Sequence, residues 1–302
     1  MSTLATKIRR LLADPPPAYA FEISEGGVAW AAIADDGPPQ VGFERFPSPV
    51  LEVSPLKDNI LDAELFGETI EHIALASPAK RRTAALILPD YCGRVMVLDF
   101  DTFPSKPEER EALVKFRMKK SVPYDIDTAA VSFAVQHQDG KRHEIVAAVV
   151  ALEIIARYET VFHGQGFQTG LVTTSAIAAL DLIRTPGVAV AARLSGRLLS
   201  VSGVENGRIK LVRCVELPDV SREEMEGVLI PTLAYIEDEL KARPETLLVC
   251  GFGPGSWSSG GDDEVSWLSE FGLRVEPLRS RLGTPTQQNA GLLGYLERSE
   301  AA

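Results

Sequence analysis

The chain has 302 residues, 45% hydrophobic and 24% charged, which is the balance of a globular protein large enough for one big domain or two ordinary ones. Its 31 Lys and Arg stand against 42 Asp and Glu, a formal net charge of −11, which argues against a general nucleic-acid binder because neutralising phosphate needs a basic face. No run reaches the ~18–20 apolar residues of a membrane span, no long apolar segment follows Lys7, Arg9 and Arg10, and Cys92, Cys214 and Cys250 form no C-x-x-C pair. These features predict a cytoplasmic protein with reduced, buried thiols.

In chain order, residues 2–13 predict a short amphipathic helix with Leu4, Ile8, Leu11 and Leu12 on one side, ended by Asp14 and three prolines. It reads as a loosely packed leader, with a membrane-surface or partner-binding helix as the alternative. Three strands follow at 19–23, 26–34 and 40–46, turned at Glu25-Gly26-Gly27 and Asp35-Asp36-Gly37. A helix over 62–77, capped by Asp62, leads to a buried strand at 83–88. Residues 94–174 read as a βαββαβ unit: strand 94–99, helix 107–121, strands 128–136 and 143–151, helix 152–165 and strand 168–172. A helix at 175–183 precedes a second meander, 188–194, 198–204 and 208–216, whose Asn206-Gly207 pair is a strong hairpin signal. A helix over 222–243 is capped by Ser221 with Glu224 and carries Pro231, expected to kink it. A buried strand at 246–250, the turn Gly251-Phe252-Gly253-Pro254-Gly255 and a last helix at 288–296 complete the reading.

Each meander is followed by a helix and a buried strand, a weak internal duplication. The arrangement predicts an α/β protein of the two-lobed actin/hexokinase/heat-shock-70 class. Its expected parts are a leader (1–17), a first lobe (18–93), an inserted small α+β subdomain (94–174) and a second lobe (175–302).

The most distinctive text is KFRMKKSVPYDID at 115–127, a basic helix stopped by Pro123. Lys115, Arg117, Lys119 and Lys120 form either a solvated helix face or a surface that attracts an anionic membrane or acidic partner. Together with Leu88-Pro89-Asp90 and Val95 to Leu98, this stretch resembles the PilM family of type IV pilus assembly, and the resemblance extends over residues 18–297. It implies an actin-like cytoplasmic scaffold, peripheral to the inner membrane, whose extra subdomain sits where the division protein FtsA has one. It further implies a groove beside that subdomain holding the short N-terminal cytoplasmic tail of a single-span membrane partner, PilN. Phe116, Val122, Pro123 and Tyr124 would frame that region, with Lys119 and Lys120 nearby. The cytoplasmic domain of the type II secretion protein GspL is a weaker likeness.

The same resemblance bears on a nucleotide site. The family text D-I-G-S/T-x-x-V-K matches residues 22–29, where the acid is Glu22, the first glycine is Ser24, Glu25 adds negative charge, Gly26 and Gly27 keep the turn, and the lysine is Ala29. The second family text, V-x-V-D-I-G, laid on 188–193, loses its acid at Ala191 and its glycine at Arg193. A lost carboxylate removes an oxygen ligand for hydrated Mg²⁺, while Arg193 could contact phosphate directly. Gly251, Gly253 and Gly255 keep the adenosine-side turn. The expectation is a degenerate site with no catalytic residue and no required cofactor; an ATP- and Mg²⁺-binding actin-like ATPase is the alternative. His72, His137, His143 and His163 have no metal-ligand spacing, and Ser256, Ser258 and Ser259 do not form G-x-S-x-G.

Overall fold

Two five-stranded sheets share one plan in the computed structural model, which describes residues 17–33, 38–77, 81–252 and 266–301. The first combines β1 (Tyr19–Ser24), β2 (Gly27–Ala32), β3 (Gln40–Arg45), β4 (Thr83–Leu88) and β8 (Gln168–Thr174) in the order β3-β2-β1-β4-β8. The second combines β9 (Val188–Ser195), β10 (Leu198–Glu205), β11 (Arg208–Glu216), β12 (Thr246–Cys250) and β13 (Arg274–Pro277) in the order β11-β10-β9-β12-β13. In each, an antiparallel meander continues into two parallel strands. The duplication expected from the sequence is thus a duplicated sheet. The leader helix at 2–13 and the turn residues from Gly253 on lie outside the described residues.

Successive side chains on a strand point to opposite faces, and that alternation sorts each lobe into a bulky and a small face. In β1, Tyr19, Phe21 and Ile23 pack with Phe66 and Ile70 of α1 (Ala63–Ala76) and with Tyr158 and Phe162 of α3 (Leu152–Gly164). In β9, Val190, Ala192 and Leu194 pack against Met225, Leu229 and Ile236 of α5 (Arg222–Leu240). The opposite faces carry alanines: Ala20, Ala29, Ala31 and Ala85 in the first lobe, Ala189 and Ala191 in the second. Against these small faces lie α4 (Ser175–Ala179) and α6 (Ala290–Ala301), with Ala178, Leu292 and Leu296 on one sheet and Ala179 and Leu293 on the other. A β-carbon on Gly294 of α6 would fall 2.1 Å from the Ala178 carbonyl oxygen, so only glycine permits this approach. Two helices wedged between two alanine faces form the seam of the molecule.

A third sheet, β5 (Gly93–Phe100), β7 (Arg142–Ala151) and β6 (Ala129–Asp139), is covered on one face by α2 (Pro107–Met118) through Leu98, Phe100, Val114, Met118, Ile145 and Val149. Residues 152–174, expected in this inserted unit, pack instead with the first lobe: α3 joins its aromatic core and β8 pairs in parallel with β4. The physical reason is the crossover. Parallel neighbours need a long connection, and the three-stranded sheet is an insertion within the β4-to-β8 connection. β13 and the 3₁₀ turn at 266–271 were not anticipated, because a four-residue strand ending in Pro277 shows no alternation to read.

The inserted sheet also touches the second lobe. Gln136 on β6 donates from Nε2 to the Ile209 carbonyl at 2.6 Å and accepts from the Ile209 N–H at 2.9 Å, so its amide serves as an extra rung on the outer edge of β11. Beside it, Lys210 and Glu144, both mostly buried, pair at 2.7 Å.

Candidate functional site

The two hairpins face each other across a cleft of about 140 Å³, lined among others by Glu22, Ser24, Glu25, Gly26, Asp90 and Arg193. Their turns have equal length. Ser24 closes on Gly27 in one and Ser195 on Leu198 in the other. Two positions before each closing residue stand Glu22, opposite Ala29, and Arg193, opposite Ser200. The parallel neighbours give the same register: Glu22 lies beside Ile87, the fifth residue of β4, and Arg193 beside Cys250, the fifth of β12. The two lobes therefore carry an acid and an arginine at one equivalent position. This corrects the matching of residues 188–193. Ala191 corresponds to Ala20 and lies in the apolar seam, Arg193 stands at the acid's place, and Ser195 at the glycine's.

Alternation puts Glu22 and Arg193 on the alanine faces, where the two seam helices begin. Both side chains are nearly fully buried. Glu22 accepts from the Leu292 N–H at the start of α6 at 2.7 Å and from the Ser175 hydroxyl. Asp90, just after β4, accepts from the Ala176 N–H at the start of α4 and from the Ser200 hydroxyl at 2.6 Å. Each carboxylate thus satisfies an otherwise unpaired helix N–H and lies at the positive end of a helix. Arg193 sits between them, 2.6 Å from Ser175 Oγ, 3.4 Å from Asp90 and 3.5 Å from Glu22. Its Nε is buried with no hydrogen-bond partner among the described residues.

Burial drives the Glu22 pKa up, against the pull of Arg193, Ser175 and the Leu292 N–H. Burial likewise opposes the charge of Arg193, but Asp90 and Glu22 raise its pKa above the ordinary arginine range. Cys250 lies against the same guanidinium, and burial lifts its thiol to about 11.

The remaining expected nucleotide residues are placed as follows. Ser24 donates to the Gly27 carbonyl at 2.9 Å. Gly27 has φ +148°, and a β-carbon there would strike the Glu44 carbonyl oxygen at 2.2 Å. Glu25 turns back to accept from the Val53 N–H at 3.1 Å, and its other oxygen lies near Gly196 of the facing turn. Gly26 borders the cleft next to Gln288. Gly251, with φ +83°, passes against the Leu194 carbonyl; Gly253 and Gly255 lie outside the described residues.

A Mg²⁺-nucleotide fits this donor set poorly. The carboxylates that would face a hydrated cation already have a guanidinium between them, and a second cation there would be repelled. Glu25 and Glu22 would oppose phosphate, and small-molecule sites usually offer about 300 Å³ or more.

Asp90 enters the sequence reading only within the Leu88-Pro89-Asp90 text and not as a cleft residue, and Ser175 and Ser200 do not enter it as site residues. Asp90 had a signal, since it follows a buried parallel strand, and groups at the carboxyl ends of such strands line the crevices of α/β sheets. Ser175 and Ser200 had none.

The residues expected to frame the partner groove divide. Val122 and Tyr124 are partly buried against the core of the inserted sheet, as framework requires. Tyr124 lies by the Ala151 backbone and Cys92, at the junction with the first lobe, and burial raises its pKa. Phe116 is not framework. Its helix buries Val114 and Met118, leaving Phe116 on the outer face at 74% exposure. Lys119, Lys120 and Pro123 are exposed. Lys115 pairs with Glu111 at 2.8 Å and Arg117 stacks 5.2 Å over the Phe100 ring, so Lys119 and Lys120 are the members of the basic patch with neither an ion pair nor a ring contact among the described residues.

No family model and no curated protein matches the chain. Solved structures do. The PilM–PilN type IV pilus biogenesis complex aligns over 94% of this chain and 98% of its own, with a TM-score of 0.69 at 16% identity. A Bacteroides thetaiotaomicron protein described as having an actin-like ATPase fold aligns over 91% of this chain and 94% of its own, with a TM-score of 0.53 at 12% identity. The fold is that of the actin-like ATPases. The cytoplasmic domain of EpsL, an inner-membrane component of the Vibrio cholerae type II secretion system, covers 92% of this chain and 94% of its own at a TM-score of 0.54 and 14% identity. Among the described residues no helix is long and apolar enough to cross a membrane.

Proposed function

We propose that this chain is a cytoplasmic, PilM-like scaffold of a type IV pilus machine, peripheral to the inner membrane, and that it neither binds nor hydrolyses ATP in the cleft between its lobes. The observation that carries the second part is Arg193. At the position equivalent to Glu22, it supplies the positive charge that a metal ion would otherwise bring between the lobes. Phosphoryl transfer depends on metal ions and positioned groups neutralising developing charge on the phosphates. With the guanidinium braced by Glu22, Asp90 and Ser175, neither carboxylate is free for that task.

The partner reading is supported by the near-complete alignment with the PilM–PilN complex and by the junction at Tyr124. A short tail from a single-span membrane protein would dock between the first lobe and the inserted sheet. Exposed Leu56, Leu61 and Leu152 supply apolar surface, and Lys119 and Lys120 favour an acidic segment. The secretion-system reading rests on the EpsL likeness and differs only in the machine served.

Two measurements test the proposal. In calorimetry with ATP and Mg²⁺ no binding heat is expected, and micromolar binding, with or without turnover, would overturn this reading of the cleft. A pull-down with the cytoplasmic tail of a membrane partner is expected to weaken in Lys119→Glu/Tyr124→Ala; undiminished capture would remove these residues from the docking surface.

A further inference from the structure

A second cavity, of about 320 Å³, shares no residue with the cleft between the hairpins. It lies at the edge of the second lobe, where Arg184, after the 3₁₀ turn at 180–182, meets Arg279 and Arg281, after β13. Its apolar lining is Leu182, Leu248 and Pro277.

Glu297 of α6 organises this cavity from below. It is 2% exposed and accepts from Ser280 Oγ at 2.7 Å and from the Arg281 N–H at 2.6 Å. Its other oxygen pairs with Arg184 and lies 3.6 Å from the Arg281 guanidinium. Burial would raise the pKa of this carboxyl, but those donors and Arg184 bring it below the usual range, so it remains an anion that holds two arginines from different elements over one cavity. Glu276, the other acid on the lining, is occupied with Arg274 at 3.0 Å. Arg279 makes no ion pair among the described residues and stands exposed on the cavity lining. In a chain of formal charge −11, a concave site with three arginines against two glutamates is a local reversal of sign.

Guanidinium forks match the oxygen pairs of phosphate and hold them by charge-assisted bonds. Apolar lining with convergent polar groups, in a cavity at the lower end of the usual ~300–1,000 Å³ range, suits a small organic ligand. We propose that this cavity binds the phosphate group of a small phosphorylated molecule, with Arg279 and Arg184 as its principal contacts. The phosphate could belong to a soluble metabolite or to a lipid headgroup, and both present the same oxygens.

The test uses the full chain. Glycerol 3-phosphate is titrated in by calorimetry, and separately the protein is floated with phosphatidylcholine vesicles with and without phosphatidylglycerol. Arg279→Glu leaves every described contact of Glu297 in place, and Arg184→Gln removes one of them. Each is expected to weaken binding about ten-fold or more, the worth of one hydrogen-bonded charge contact. Arg222→Glu, at an exposed arginine that does not line the cavity, is expected to leave it unchanged. Soluble binding lost in the two variants assigns a metabolite, and vesicle flotation alone lost in them assigns a headgroup. No binding in either arm, or equal loss in Arg222→Glu, overturns the proposal. Thermal melts of each variant identify any loss of fold, and a variant that melts early is replaced by Arg279→Gln.

Discussion

The two lobes use the same strand order, the same two-residue hairpin turn and the same alanine face, yet at one equivalent position the first carries Glu22 and the second Arg193. Duplication explains the backbone and not the charge. Two acids at these positions would repel across the seam unless a cation intervened. An acid facing an arginine receives a counter-charge from the chain itself. The difference teaches that one backbone plan can place opposite charges at equivalent positions of its two lobes, where they meet in the buried cleft.

The sharpest way to break this comparison is Arg193→Met. It keeps the volume roughly constant but leaves Glu22 and Asp90 buried without their counter-charge, and it is expected to cost about 3–5 kcal/mol in denaturant unfolding. A loss below ~1 kcal/mol would mean that the helix N–H groups alone satisfy both acids. Adding Glu22→Gln to that variant should recover part of the loss, since one uncompensated charge is then removed.

A second test uses pH. The Cys250 thiol is pushed by burial from 9.0 to about 11. The folded state then keeps a proton that the unfolded state has already lost, so the stability this thiol contributes is full below about pH 9 and falls as pH rises toward about 11. Melting temperatures measured across that window should decline less steeply in Cys250→Ala than in the parent, and parallel curves would refute the assignment.

Ser200→Ala removes the hydroxyl that donates to Asp90 at 2.6 Å, and it should cost about 1.5–3 kcal/mol, the range for a bond to a charged group. The smallest effect is expected at Arg222, whose pairs with Glu226 and Glu270 are half exposed; Arg222→Ala should change stability by less than ~1 kcal/mol and less still in high salt. If Arg222 mattered as much as Arg193, burial would not be what distinguishes the cleft.

Much of this was legible before any coordinates. Hairpin signals such as Asn206-Gly207, the capping residues Asp62 and Ser221 and the apolar runs at 83–88 and 246–250 carry local physics, and all occur where expected. What failed was long-range. Nothing in the text of β8 tells which sheet it joins, because a parallel partner is chosen by tertiary packing. Arg193 was marked as unusual, but its partners were out of reach: Asp90 is 103 residues away and Glu22 is 171. The two-residue slip at Ala191 arose because an alternating small-residue strand offers the same pattern at every second position, and only the hairpin closure fixes the count. Phe116 was misplaced because an aromatic in a helix reads as core until the helix is seen from the side.

The bond from Leu292 N–H to Glu22 spans 270 residues. During synthesis at about 5–20 residues per second, strand β1 leaves the ribosome long before α6 exists, so the alanine face of the first lobe spends most of that time uncovered. The first lobe therefore cannot reach its finished state as an N-terminal unit. A chain cut short of α6 should therefore leave that face and the Glu22 carboxylate uncovered, and it should be held by chaperones or degraded rather than accumulate.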